Sequence, residues 1–146
     1  MTLTREYMDG KMDEHFGFEA ADNVEGVLST LATDVEHDIV GWPFGPTRGR
    51  EEARPFYVSL FGDLESGKVE TIRRLYGESF LVDESLWRGQ APGKPFGLDG
   101  KGRALEFRLL HVVRFTNEGA IQGEQVWVDL ASIQRQLPQA GGERVA

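Results

Sequence analysis

Hydrophobic positions along the chain change period near its middle. In the first half they recur at helical spacing. Val24, Val27, Leu28 and Leu31 fall at i, i+3, i+4 and i+7, which predicts a helix over residues 22–32. Asp22, followed three residues later by Glu25, resembles a capping pair at its start. Ala53, Phe56, Tyr57, Leu60 and Phe61 repeat the pattern and predict a helix over residues 50–62. Residues 3–16 make a weaker helix, because their apolar spacing is irregular. Val35 to Val40 reads as a short strand that runs into a loop from Gly41 to Gly49, with two prolines and three glycines.

The second half alternates with period two. Residues 69–76 and 79–88 read as strands, and Gln90 to Gly102, rich in Gly and Pro, reads as a loop or flap. The clearest strand follows. Leu105, Phe107, Leu109, His111, Val113 and Phe115 form one face, and Glu106, Arg108, Leu110, Val112 and Arg114 the other. Asn117-Glu118-Gly119 supplies hairpin chemistry. The return strand is Ala120 to Val128, and Leu130, Ile133 and Leu137 share one face of a short closing helix. Helices followed by hairpin-linked strands predict an α+β domain, with helices packed on one face of an antiparallel sheet. The opposite face would carry Leu110, Val112, Val126 and Val128, an apolar patch that predicts a partner, most simply a second copy in a homodimer. A single domain over residues 1–138 is expected, with a polar, Gly-rich flexible tail over 139–146.

Composition narrows the function. The chain has 146 residues, the size of one domain, and a formal charge of −8 from 16 basic and 24 acidic residues. That balance disfavours nucleic-acid phosphates and anionic membranes as partners. The absence of cysteine excludes disulfides, a thiol nucleophile and cysteine-ligated metals. Without a signal-like N-terminus or an apolar run of about 20 residues, a cytoplasmic protein is the default expectation. No phosphate-binding loop, nucleophile elbow or dinucleotide fingerprint is present, so no cofactor is expected. The spacing of His37, Asp38 and His111 matches no metal motif, and no metal is expected either.

His111 is the polar exception in an apolar row. If Thr116 pairs with Ala120 across the turn, His111 lies opposite Gln125 and Leu109 opposite Trp127. Gln125, Trp127 and Asp129 would then share the face of His111, with Gln125 fixing its tautomer. Asp129 stands four residues beyond Gln125, roughly 13 Å at strand rise, too far for direct contact with His111. Other roles compete. A lone His on an apolar face often serves only the core, and Asp129 precedes the last helix, where Asp is a favoured cap. His37 and Asp38 end the first strand on opposite faces, so one of them at most lines a pocket.

The strings EHDIVGWPFGPTRGREEARPFY (Glu36 to Tyr57), LLHVVRF (Leu109 to Phe115) and EQVWVDLASIQRQL (Glu124 to Leu137) resemble the nuclear-transport-factor-2-like superfamily. Within it they resemble the SnoaL-like polyketide cyclases and ketosteroid isomerases, over about residues 10 to 138. The resemblance implies a cone: a curved antiparallel sheet wrapped by three helices from the N-terminal half, with a short C-terminal helix and a deep pocket. Homodimers are usual in such a family. The isomerase-type base, an Asp ending the first strand, falls on Asp38, and the oxyanion donor falls on His111. The isomerase tyrosine has no counterpart; His15 and Phe16 lie nearest. The cyclase-type pair, an acid/base Asp on the last strand and a His on the preceding one, resembles Asp129 and His111. The resemblance thus implies cofactor-free aldol ring closure or isomerisation on a small apolar, polyketide-like ligand. Trp42, Tyr57, Phe61, Phe107, Gln125, Trp127 and His37 would bind that ligand. A ligand-binding module without chemistry is the alternative. Epoxide hydrolysis would need an Asp-Arg-Asp set in the pocket, whereas Arg108 and Arg114 read as outward-facing.

Overall fold

The computed structural model describes residues 2–41 and 45–139. Helix α1 runs from Arg5 to Ala20 and is capped by the Thr4 hydroxyl, which accepts from Tyr7 N–H. Its buried stripe is Met8, Met12, His15 and Phe16. A histidine completes that stripe, which is why the apolar spacing alone made the helix look weak. Helix α2, Val24–Thr30, is capped by Asn23 rather than Asp22, because the Asn23 side chain accepts from Gly26 N–H at 2.9 Å. Strand β1, Leu31–Val40, starts directly after α2 and four residues earlier than the pattern predicts. The short strand β2, Thr47–Arg48, lies against it. Helix α3, Arg50–Asp63, buries Ala53 and Tyr57.

Strands β3 (Glu65–Tyr76), β4 (Phe80–Ala91), β5 (Arg103–Phe115) and β6 (Ile121–Val128) follow, and helix α4 (Leu130–Gln136) closes the fold. The six strands form one sheet in the order β2-β1-β6-β5-β4-β3. All pairs are antiparallel except β1 with β6, which run parallel, so the sheet is mixed rather than purely antiparallel. The α+β class and the helix count match expectation. Between β4 and β5 the expected loop is short and pinned, with Asp63 Oδ1 accepting from Lys94 N–H at 2.9 Å. Gln139 Oε1 accepts from Asp99 N–H at 3.1 Å, and the rest of the expected tail, residues 140–146, lies outside the described residues. Among the described residues no helix is long and apolar enough to cross a membrane.

One register shift decides which residues face inward. Thr116 N–H does bond Ala120 O across the turn, and Phe115 pairs with Ile121. A bulge then intervenes, and Arg114 pairs with Gly123 and His111 with Val126. The extra residue reverses the parity of β6 beyond the turn. Glu124, Val126 and Val128 turn inward, while Gln125 and Trp127 turn outward, which corrects the pairing expected from the turn alone. Gln122 is the unpaired residue of the bulge, and Gly123 next to it lies opposite Arg114.

Two buried clusters fill the concave side of the sheet. One gathers Met8, Met12, Val27, Leu28, Leu31, Tyr57 and Val113 beneath the first three helices. The other gathers Leu64, Trp87, Leu105 and Phe107 with Ile133 and Leu137 of α4. Burying such side chains stabilises the fold by about 1.5–3 kcal/mol each, before entropy is set against it.

Candidate active site

A cavity of about 100 Å³ opens where the two clusters meet. Its walls include Phe56, Phe61, Trp87, Phe96 and Phe107, and its polar floor is His111 and Glu124. Trp87 stacks on Phe107 with ring centroids 5.2 Å apart. Glu19, Asp22, Glu65 and Ser66 lie along the remaining lining, and among the described residues no lysine or arginine does.

His111 projects inward from β5 and is 3% exposed. Phe16 of α1 meets its ring edge-on at 5.1 Å. Its Nδ1 lies 3.6 Å from Oδ1 of Asp83, its cross-strand partner on β4. That separation is an electrostatic contact rather than a hydrogen bond, and among the described residues Nδ1 has no hydrogen-bond partner. Asp83 is fully buried, and it accepts from Arg74 Nε at 2.7 Å, from Thr71 Oγ1 at 3.2 Å and from Ser85 Oγ. Arg74 is itself anchored on α1, donating to Asp9 and Asp13 at 2.9 Å each. Burial pushes the Asp83 carboxyl up, but His111, Arg74 and Ser85 outweigh it and hold the carboxyl down to about 2. An arginine ringed by carboxylates therefore exists, yet Arg74, Asp9, Asp13 and Asp83 do not line the cavity.

Glu124 projects inward from β6 and is 2% exposed. Its Oε2 accepts from the Tyr57 hydroxyl at 3.3 Å and lies 3.2 Å from His15 Nε2. His15 Nε2 is also 3.0 Å from Glu19 Oε1. Burial disfavours charge on both His15 and Glu124. Their mutual attraction, with Glu19 added, wins: His15 is raised and Glu124 lowered from their ordinary values. His37 Nε2 lies 3.0 Å from the Tyr57 hydroxyl. Burial pushes His37 down and the Tyr57 phenol up, so both are neutral at pH 7. The Tyr57 hydroxyl proton goes to Glu124, which leaves the His37 nitrogen as the donor to Tyr57.

The residues singled out in the sequence separate accordingly. His111, Phe61 and Phe107 line the cavity. Tyr57 and His37 are buried outside its lining, and His37 borders a second cleft, of about 300 Å³, between β1 and α3. Asp38 sits at the opposite parity of β1 from His37 and is half-buried. Gln125 and Trp127 are on the outer face, with Trp127 40% exposed. The Asp129 carboxylate caps α4 by accepting from Ser132 N–H at 3.2 Å, and it is not part of the cavity lining. Trp42 lies outside the described residues. Glu124, Asp83 and Glu19 were not anticipated. The one signal for Glu124 is Gln122-Gly123 just after a hairpin turn, where glycine permits a bulge.

The model for a family described as SnoaL-like polyketide cyclase matches residues 10–137. No curated protein matches the sequence significantly. Three solved structures share the fold at low identity. TsrD from Streptomyces laurentii is 17% identical with a TM-score of 0.80, covering 93% of this chain and 98% of its own. A putative SnoaL-like polyketide cyclase from Jannaschia sp. CCS1 is 12% identical with a TM-score of 0.79, covering 94% and 96%. AclR, a putative hydroxylase from Streptomyces galilaeus, is 10% identical with a TM-score of 0.78, covering 92% and 97%. At such identities the likeness establishes the fold, and chemistry must come from the site.

Proposed function

The chain belongs to the SnoaL-like polyketide cyclase family, and from that premise we propose that it is a cyclase-like enzyme acting on a small, apolar, enolisable ligand. The observation that carries this reading is that His111 and Glu124, both buried, line the same aromatic-walled cavity from neighbouring strands. In this mechanism His111 removes a proton from the carbon next to a carbonyl. Asp83, ionised and 3.6 Å from Nδ1, stabilises the imidazolium that forms. The enolate carbon attacks a second carbonyl of the same ligand and closes a ring. The new alkoxide takes the proton back from His111, so the addition is proton-neutral. Isomerisation follows the same first step, with the proton returned to a different carbon. The base role that the family resemblance offered to Asp129 or Asp38 passes to His111. Asp129 is engaged as a helix cap, and Asp38 has the opposite parity to the inward-facing His37.

The protein also works as a homodimer in this proposal. Val40, Trp127 and Leu110 form one cross-strand row on the outer face, each at least 36% exposed. A second copy placed there would cover them.

Exchange of α-protons tests the chemistry without a known substrate. A panel of apolar 1,3-diketones in D2O is followed by NMR for loss of the C–H signals. Wild-type protein should accelerate exchange, and His111→Gln should slow it by about 100-fold or more. Ligand-induced thermal stabilisation without any exchange would instead identify a binding module.

A further inference from the structure

We propose that His15, Glu19 and Glu124 form a binding site for one divalent metal ion of the zinc class. This goes beyond the reading above and leaves the base at His111. The ligand atoms of the three side chains all lie within 4.8 Å of one another. His15 is 0% exposed, and among the described residues its Nε2 has no well-aligned hydrogen-bond partner although two carboxylate oxygens stand 3.0 and 3.2 Å away. A proton on Nε2 is therefore aimed well at neither oxygen. A metal tolerates that placement. Bonds of about 2.0–2.2 Å to nitrogen and oxygen set neighbouring tetrahedral ligand atoms roughly 3.3–3.6 Å apart. The measured separations of 3.0 and 3.2 Å are a few tenths of an ångström shorter, so binding needs only a small outward shift of the carboxylates.

The surroundings orient the ring for ligation. The Thr30 hydroxyl donates to Val27 O at 2.6 Å, so its oxygen accepts from His15 Nδ1–H at 2.7 Å. Loss of the Nε2 proton leaves its lone pair facing the two carboxylates, with the metal in the proton's place. A hydrogen bond on the far nitrogen is the usual support of a ligating histidine, and a donor such as Tyr57 on Glu124 is the usual support of a ligating carboxylate. His15 and Glu19 are spaced i, i+4 on one face of α1, the spacing of helical ligand pairs. One imidazole and two carboxylates without a thiolate suit Zn²⁺. Because Glu19 and Glu124 line the cavity, the remaining coordination position opens toward the ligand.

Chelator-stripped full-length protein is titrated with Co²⁺ and desalted, and retained metal is counted by mass spectrometry and visible absorption. Wild type should keep one equivalent, show the absorption of four-coordinate Co²⁺ and release it to Zn²⁺. Glu19→Gln, at a partly exposed position, should keep its circular dichroism and lose at least tenfold in affinity. Asp22→Asn, a cavity carboxylate outside the triad, should bind like wild type. If wild type retains no stoichiometric metal, or Glu19→Gln binds equally well, the proposal fails and a buried imidazolium is the cation between the two carboxylates. Metal retention is read independently of proton exchange, so either proposal can fail alone.

Discussion

Asp83 has no exposed surface, yet its carboxyl is held down to about 2. Burial alone would raise it, so the value measures how strongly Arg74, Ser85 and His111 favour the anion. Compared with an ordinary carboxyl near 3.9, the difference is worth roughly 2.5 kcal/mol of stability at neutral pH. The sign follows from the direction. A group lowered in the folded state contributes fully above about pH 4, and the contribution fades as pH falls toward about 2. Thermal melts between pH 5 and pH 2 should therefore show wild type losing more stability than Asp83→Asn. The variant should already be weaker at pH 7 by about 3 kcal/mol, since it unpairs part of a buried arginine. Equal pH slopes for the two proteins would remove Asp83 as the linked group. The same substitution should slow α-proton exchange, because His111 loses the anion that stabilises its charged form.

At the scale of elements, β6 carries the largest consequence for the least sequence. Its bulge moves Glu124 to the concave face and Gln125 to the outer one. Urea denaturation distinguishes the two parities. Glu124→Ala should cost about 3–5 kcal/mol, because it strips a partner from the buried His15. Gln125→Ala should stay within about 0.5 kcal/mol. A reversed order would restore the parity expected from the turn alone. Most other elements were legible. The stripes of α2 and α3 and the alternation of β5 follow directly from apolar periodicity, because their buried faces are made of apolar side chains. The stripe of α1 was obscured, because His15 occupies a buried position that a hydrophobicity pattern counts as polar.

For the whole molecule, the row of Val40, Trp127 and Leu110 bears on assembly. Light scattering should give wild type the mass of a dimer, and Trp127→Glu the mass of a monomer with unchanged circular dichroism. A monomeric wild type would leave the row as exposed apolar surface and end the dimer proposal. The site is likewise a property of the whole. Helix α1 brings His15, Phe16 and Glu19, α3 brings Phe56 and Phe61, and the sheet brings His111 and Glu124.

The sequence by itself determined the α+β class, the helical first half, the strand-rich second half and the inward position of His111. Each of these depends on periodicity within one element, and periodicity is written in the order of residues. Tertiary structure alone decided the company His111 keeps. Asp83 reaches it across a strand pair, and Glu124 joins it only because one extra residue in β6 shifts the register. Asp129, four residues past the outward-facing Gln125, was drawn off by the orphan N–H groups at the start of α4. Pairing between strands depends on bulges and turns, whose energies differ by little in sequence terms yet reverse every side chain that follows. For that reason the polar residue in an apolar row could be read from the chain, and its partners could not.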